Sequence, residues 1–391
     1  MHRSLSLLLL TACGAAAHPT SAHELVALSH IEHLDAVARE TAIVQHPNGH
    51  LFVAGYGPDA HPHLWQSGDL GASWTPVGLG DGAVGNSDVD LAVAPDGTLY
   101  FINLLFDRDT AKGKSIAIAA SRDAGATWTW TTLSTQPFDD RPWVVVASDG
   151  SAHAIWSNEA GVHHAVSRDR GATWQEATLI LNHGGSSHFV AGPHGLLAAR
   201  ITPTWGGGAK MTAGVDEIRL SADGGETWTT VQAPGERTWK PLEQDETFDS
   251  LRWVEPLAFD AAGNLYSAWT ARDGVHIARS RDRGTTWSQN LVLTSNAFFP
   301  YAIATPTGLA LTWFTAASPA LDNLRWHIAA YDGVQVLEAP AQRLDCTRKN
   351  AQDTCGEYLM PAALADGHIG LAAPVQHEAT GGFTFWTFEA R

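Results

Sequence analysis

Five segments of this 391-residue chain repeat one eight-residue pattern, Ser-x-Asp-x-Gly-x-Thr/Ser-Trp, and that repetition restricts the fold more than any other feature. The segments begin at Ser67, Ser121, Ser167, Ser221 and Ser280. Their aspartates, Asp69, Asp123, Asp169, Asp223 and Asp282, are spaced by 54, 46, 54 and 59 residues. A near-constant period of this length marks a repeat architecture, in which each unit buries a face against its neighbour. The pattern itself describes a turn. Asp caps it through its carboxylate, and Gly takes a conformation that other residues resist. The Thr or Ser bonds back across the turn, and the Trp buries its ring between adjacent repeats.

A second punctuation mark counts the repeats. Asn48-Gly49, Asp96-Gly97, Asp149-Gly150, His194-Gly195, Ala262-Gly263, Thr307-Gly308 and Asp366-Gly367 each separate two apolar runs, as hairpin turns do. The eight-residue pattern is identified as the Asp-box, and with it the chain resembles the sialidase-like (BNR) propeller superfamily. The expected fold is therefore all-β, a single propeller over residues 23–391. Seven four-stranded blades follow from the seven hairpins, with six, the sialidase number, as the alternative. Asp-boxes then mark the turn between the third and fourth strands of blades one to five, and Tyr331-Asp332-Gly333 reads as a decayed sixth. The last blade ends with Gly382–Phe388, which supplies only a third strand. The missing fourth strand comes from the N-terminal segment around Leu25–Leu28, which joins the ends of the ring and removes open edges.

Residues 1–22 read as a targeting segment and short tether. Met1-His2-Arg3 is a basic start, and Leu5–Leu10 is a short apolar run. Leu10-Thr11-Ala12-Cys13 resembles the bacterial lipoprotein signal, in which cleavage leaves a lipid-modified Cys13. The alternative is ordinary cleavage after Ala15-Ala16-Ala17 or near Ala22. Either reading exports the protein, to the cell envelope if it is anchored and otherwise to the periplasm or medium. No later stretch approaches the ~18 apolar residues of a membrane span, so a lipid anchor is the expected membrane contact. A net charge of −17 without a Lys/Arg patch excludes a nucleic-acid partner. Cys346 and Cys355 are expected to close a local loop as a disulfide. The 19 histidines show no metal-binding spacing, so neither metal nor cofactor is expected; Asp107-Arg-Asp109 is at most a weak calcium signal. A monomer is expected.

The functional face of a propeller lies where its inner strands begin. Nine residues before the turn glycines stand Glu40, Asp88, Arg141, Ser186, Phe299 and Tyr358, and Arg252 stands eleven before Gly263. Sialidases clamp a carboxylate with three arginines, use a Tyr nucleophile activated by a Glu, and use an Asp as acid/base. The resemblance thus implies Arg39, Arg141 and Arg252 as the clamp, with Asp140 and Trp143 beside Arg141. It implies Tyr358 as nucleophile with Glu357 or Glu255, and Asp88 or Asp90 as acid, acting on an anionic glycan. Ala38-Arg39-Glu40-Thr41 departs from the family's Phe/Tyr-Arg-Ile-Pro, and Glu357 and Tyr358 are neighbours that a strand would point to opposite sides. The competing expectation is a non-catalytic propeller that binds a glycan or an envelope protein through this face.

Overall fold

A computed structural model describes residues 24–57, 61–202, 216–235, 254–288, 290–318, 323–344, 356–376 and 380–391. They form seven antiparallel sheets arranged as the blades of one propeller, six of four strands and one with a short extra pairing at Gln342–Arg343. The inner strands, in blade order, are Arg39–Gln45, Ser87–Val93, Asp140–Val146, Gly185–Ala191, Leu257–Phe259, Ala297–Thr305 and Pro361–Ala363. Among the described residues the only helical element is a 3₁₀ turn at Pro193–Gly195. Seven blades, not six, is the count, and each predicted hairpin joins the first and second strands of one blade. All seven turn glycines have positive φ, from +76° at Gly195 to +151° at Gly308.

The ring closes as the unmatched third strand requires. Leu25–Leu34 pairs antiparallel with Gly381–Ala390, from Leu25↔Ala390 to Leu34↔Gly382, with a bulge between Ala27 and Ser29. Glu24 and Arg391 exchange two backbone hydrogen bonds of 2.8 Å at the end of the ladder. The first and last described segments thus share one sheet.

The five repeated turns share one bonding scheme. In each, the buried Ser hydroxyl accepts the Gly N–H at 2.7–2.9 Å and donates to Asp Oδ1 at 2.7–2.9 Å. The same Oδ1 accepts the Thr/Ser N–H, and Oδ2 accepts its hydroxyl at 2.5–2.6 Å. The Gly has no alternative. At Gly71, φ is +90° and a Cβ would lie 2.1 Å from the ring of Phe385 in the preceding blade. The Trp reaches backward as well. Trp74 meets Phe383 and Phe385 at 5.1 and 5.3 Å, Trp174 meets Tyr100 at 6.4 Å, and Trp228 meets His164 at 5.3 Å. Each turn therefore ties its own blade together and locks it to the one before. Second strands such as Leu51–Tyr56 and Ala152–Asn158 are buried on both sides, which is why Leu51–Tyr56 reads as an apolar run with little alternation.

Candidate active site

The inner strands do not start as regular ladders. Blades 1, 3 and 6 carry a bulge in which two residues oppose one: Glu40-Thr41, Arg141-Pro142 and Phe299-Pro300. Blades 2 and 4 carry one at Asp88 and at Ser187. Glu40, Arg141 and Phe299 adopt φ of +47°, +51° and +49°, where side chains other than glycine are strained. A bulge re-aims side chains. Here it turns the opening residues of several strands toward one cavity.

That cavity, of ≈ 380 Å³, is bounded by blades 1, 2, 3 and 7 with one residue from the approach to blade 5. Arg39, Glu40, Asp88, Asp140, Arg141, Trp143, Glu357 and Tyr358 line it, so most of the residues picked from sequence do converge. Glu357 and Tyr358 both face it because they precede the inner strand Pro361–Ala363 and escape strand alternation. Arg141 pairs with Glu357, its Nη2 donating at 3.0 Å, and not with Asp139, which is fully buried among Ser134, Gln136 and Asn158. Asp140 accepts the Arg141 N–H at 3.0 Å. Trp143 donates its indole N–H to the Ser186 carbonyl at 3.2 Å.

Two lining residues of consequence were missed from the sequence or left without a role. Tyr56 ends the second strand of blade 1, opposite Arg39 in register. Its hydroxyl donates to Glu40 Oε2 at 2.8 Å, and the Arg39 guanidinium lies 5.3 Å over its ring. Glu40 Oε1 accepts the Glu357 N–H at 3.0 Å. Counting forward from Gly49 as well as backward would have found Tyr56.

Electrostatics at this cavity are unusual. Burial, with Asp88 and Glu357 nearby, pushes the Glu40 carboxyl up to about 8, against the pull of Arg39 and Tyr56. Burial and Asp88 raise Asp140 to about 7, against Arg141. Burial alone would lower Arg141, but Glu357, Asp140 and Asp88 overcome it and hold the guanidinium charged. Tyr358 is driven well above its ordinary value by burial and by Glu40 and Asp88, and its hydroxyl lies 3.4 Å from the Val89 carbonyl. Among the described residues no group of three His, Cys, Asp or Glu is arranged to hold a metal ion.

The floor is aromatic. Trp143, His188, Tyr301 and Tyr358 form a closed circle of ring contacts of 5.0–5.6 Å. His188 Nδ1 accepts the Leu257 N–H at 3.1 Å, so Nε2 carries the proton and donates to the Tyr301 hydroxyl at 2.9 Å, which donates to Met360 Sδ at 3.2 Å. Beyond this layer an axial channel of ≈ 270 Å³ runs between mostly apolar inner strands, with Asp90 at its wall.

Other picks fall elsewhere. Glu255 is not beside Tyr358: fully buried, it accepts from Arg200 Nη2 at 2.6 Å, and Arg200 also binds Asp216 at 2.7 Å and Ser267 at 2.6 Å. Asp90 accepts two backbone N–H groups and serves as a strut between blades 2 and 3. Arg252, Cys346, Cys355 and Cys13 lie outside the described residues.

Solved structures with the same architecture cover nearly the whole chain. It is similar to a protein of unknown function from Dyadobacter fermentans, at 15 % identity and a TM-score of 0.53, over 95 % of this chain and 99 % of that one. It is similar to α-L-arabinanase from Penicillium chrysogenum complexed with arabinobiose, at 13 % identity and 0.52, over 93 % and 98 %. It is similar to YCF48 bound to D1 peptide, at 14 % identity and 0.53, over 96 % and 97 %. At such identities the likeness shows the fold alone. No protein-family model matches the chain, and no curated protein matches it.

Proposed function

We propose that the protein is an exported, glycan-active Asp-box propeller that hydrolyses a glycosidic bond in the cavity between blades 1, 2, 3 and 7. The observation that carries this reading is the Tyr56–Glu40 hydrogen bond inside a cavity that also holds Asp88, Asp140, Arg39 and Arg141. Glycoside cleavage needs a nucleophile or activated water on one side of the sugar and a proton donor on the other. Both Glu40 oxygens accept hydrogen bonds, as a proton acceptor's would. With Glu40 ionised, a form that burial makes the minority below about pH 8, Tyr56 attacks the anomeric carbon as its phenolic proton passes to Glu40, and Arg39 over the ring stabilises the developing phenolate. Asp140, held partly protonated near neutral pH by burial, gives its proton to the departing oxygen as the glycosidic bond breaks. Water then attacks the anomeric carbon, giving one proton to Asp140 and keeping the other in the new sugar hydroxyl, while Glu40 returns the phenolic proton to Tyr56 as the glycosyl–tyrosine bond breaks. Tyr358, expected as nucleophile, serves as part of the floor, with Glu357 fixing Arg141 and Asp88 lining the same cavity.

The fold hosts this chemistry elsewhere, since the Penicillium neighbour is an arabinanase, but the reaction is argued from the cavity and not from the fold. The Leu5–Leu10 run and Cys13 support export and anchoring at the cell envelope. The test is a panel of fluorogenic glycosides, sialosides included, against the wild type and the Glu40→Gln, Tyr56→Phe and Arg141→Ala variants. Glu40→Gln should lose about 10²-fold or more in kcat, the usual worth of a positioned proton acceptor. Release by no substrate from folded protein would remove the enzyme reading and leave a propeller that binds a glycan or envelope protein.

A further inference from the structure

Charge and aromatic rings in this cavity are balanced for a ligand unlike the anionic sugar that three arginines would suit. Four carboxyl groups line it, Glu40, Asp88, Asp140 and Glu357, against two guanidiniums. Arg141 is already engaged by Glu357 at 3.0 Å, each side chain 13 % exposed. Arg39 sits over Tyr56. A sugar carboxylate reaching Arg141 would share the guanidinium with Glu357 while facing three further carboxyl groups. Tyr56, Phe106, Trp143 and Tyr358 line the same space. Aromatic faces and carboxylates attract one kind of group in common, a cationic nitrogen.

We propose that the glycan unit bound in this cavity carries a free ammonium group, as a de-acylated hexosamine does. The inference rests on the cavity being the glycan site, and it names the substrate class for that site. The titration behaviour agrees. Glu40 faces Asp88, Glu357, Arg39 and Tyr56, and Asp140 faces Asp88, Arg141 and Glu357. Glu40 is mostly and Asp140 partly protonated near neutrality because burial and neighbouring carboxylates exceed the cations available. An ammonium entering among them replaces those protons. Its binding therefore releases protons to solvent, which a neutral or acidic sugar would not cause.

Calorimetric titration of the full-length protein at pH 6.5 tests this with three probes of equal length: a glucosamine tetramer, its N-acetylated counterpart and a galacturonate tetramer. The glucosamine tetramer should bind about ten-fold more tightly than the acetylated one, the worth of one partly desolvated cation contact. Repeating the titration in buffers of different ionisation heat should show net proton release for that probe alone. Glu40→Gln and Asp140→Asn should each shrink the preference, whatever their effect on turnover. Cleavage is read on the same mixtures by mass spectrometry. Selective binding of the amine without cleavage would support the inference and overturn hydrolysis. Equal binding of all three, tighter binding of the uronate, or binding of none would overturn the inference. Cleavage of any glycan alongside such a result would leave hydrolysis standing.

Discussion

Replacing Asp90 by Asn should change stability by an amount that depends on pH, with a sign and an order of magnitude that follow from its burial. Asp90 is 5 % exposed on the inner strand of blade 2. Oδ1 accepts the Leu91 N–H at 2.8 Å, and Oδ2 accepts the Val144 N–H of blade 3 at 2.9 Å. Burial raises its carboxyl from 3.8 to about 7, against the pull of those two donors. A carboxyl with a raised folded-state value holds its proton more tightly in the folded protein. The stability it contributes is fully present below about pH 4 and is lost as pH rises through about 7. The full window corresponds to roughly 4 kcal/mol, of which roughly 2.5–3 kcal/mol falls between pH 5 and 8. Asn cannot ionise and keeps only one acceptor oxygen, so at pH 5 the variant should be weaker by about 1 kcal/mol for the lost backbone bond. The gap between the two proteins should then move by roughly 2.5–3 kcal/mol in the variant's favour by pH 8, reversing its sign. With an unfolding entropy of about 2.1 cal/mol/K per residue over roughly 370 residues, this is a relative shift of about 3–4 °C in Tm. Urea unfolding and calorimetry at half-unit pH steps and constant ionic strength would measure it. A gap that stays constant from pH 5 to 8 would refute the buried-carboxyl argument.

Further expectations follow from other parts of the ring. Ser121→Ala should leave the buried Gly125 N–H without its acceptor and cost about 1–3 kcal/mol by urea unfolding. Gly113→Ala should be far worse, because its Cβ would lie 1.5 Å from the Asp139 carbonyl oxygen; soluble protein of near wild-type Tm would contradict the packing described for blades 2 and 3. Deleting residues 24–34 should remove the fourth strand of blade 7 and abolish cooperative unfolding, read by near-ultraviolet circular dichroism through a melt. For any glycan the protein cleaves, kcat/KM should be bell-shaped with apparent pKa values near 7 and 8, which belong to the coupled Asp140–Glu40 system; a profile flat from pH 6 to 9 would remove both from the proposed chemistry.

Blade number, hairpin positions and ring closure were legible because each depends on residues close together in the chain. A Ser, an Asp, a Gly and a Thr within seven positions are enough to build one repeated turn, and the bonds they make span at most four residues. A positive φ at Gly49 or Gly150 needs no distant partner to be expected. The strand supplied by Leu25–Leu34 was legible by subtraction, since a final blade with three strands leaves an edge that the ring must fill. The candidate site was legible only as a level in each blade. Counting back from the turns found Glu40, Asp88, Arg141 and Tyr358, with Arg39, Asp140 and Glu357 one residue further out, but not which partner each would take. Arg141 finds Glu357 across 216 residues of sequence, and Arg200 gathers Asp216 and Glu255 from two other segments. Those pairings are decided by ring geometry, which no local pattern records.

The bulges explain why the level was right and the roles were not. A regular inner strand would alternate its side chains between the two faces of its blade, and a residue nine positions before the turn would have a predictable direction. The extra residue at Glu40, Asp88, Arg141, Ser187 and Phe299 resets that alternation at the top of five blades. Glu40 is thereby brought onto Tyr56, and Arg141 toward Glu357. Below the bulges the ladders resume, and the inner strands are apolar enough to line the axial channel. The same seven-fold scaffold can therefore keep its core and repeated turns unchanged while the strained residues above them decide which groups meet. Three of those residues hold left-handed backbone without being glycine, a conformation that costs about 1–3 kcal/mol at each and persists only where the surrounding blades over-determine it. Two of the three, Glu40 and Arg141, face the cavity, while Phe299 is wholly buried against Phe298 and Phe314. Strain of one kind thus serves the cavity in blades 1 and 3 and only packing in blade 6, which places the cavity on one side of the ring instead of at its axis.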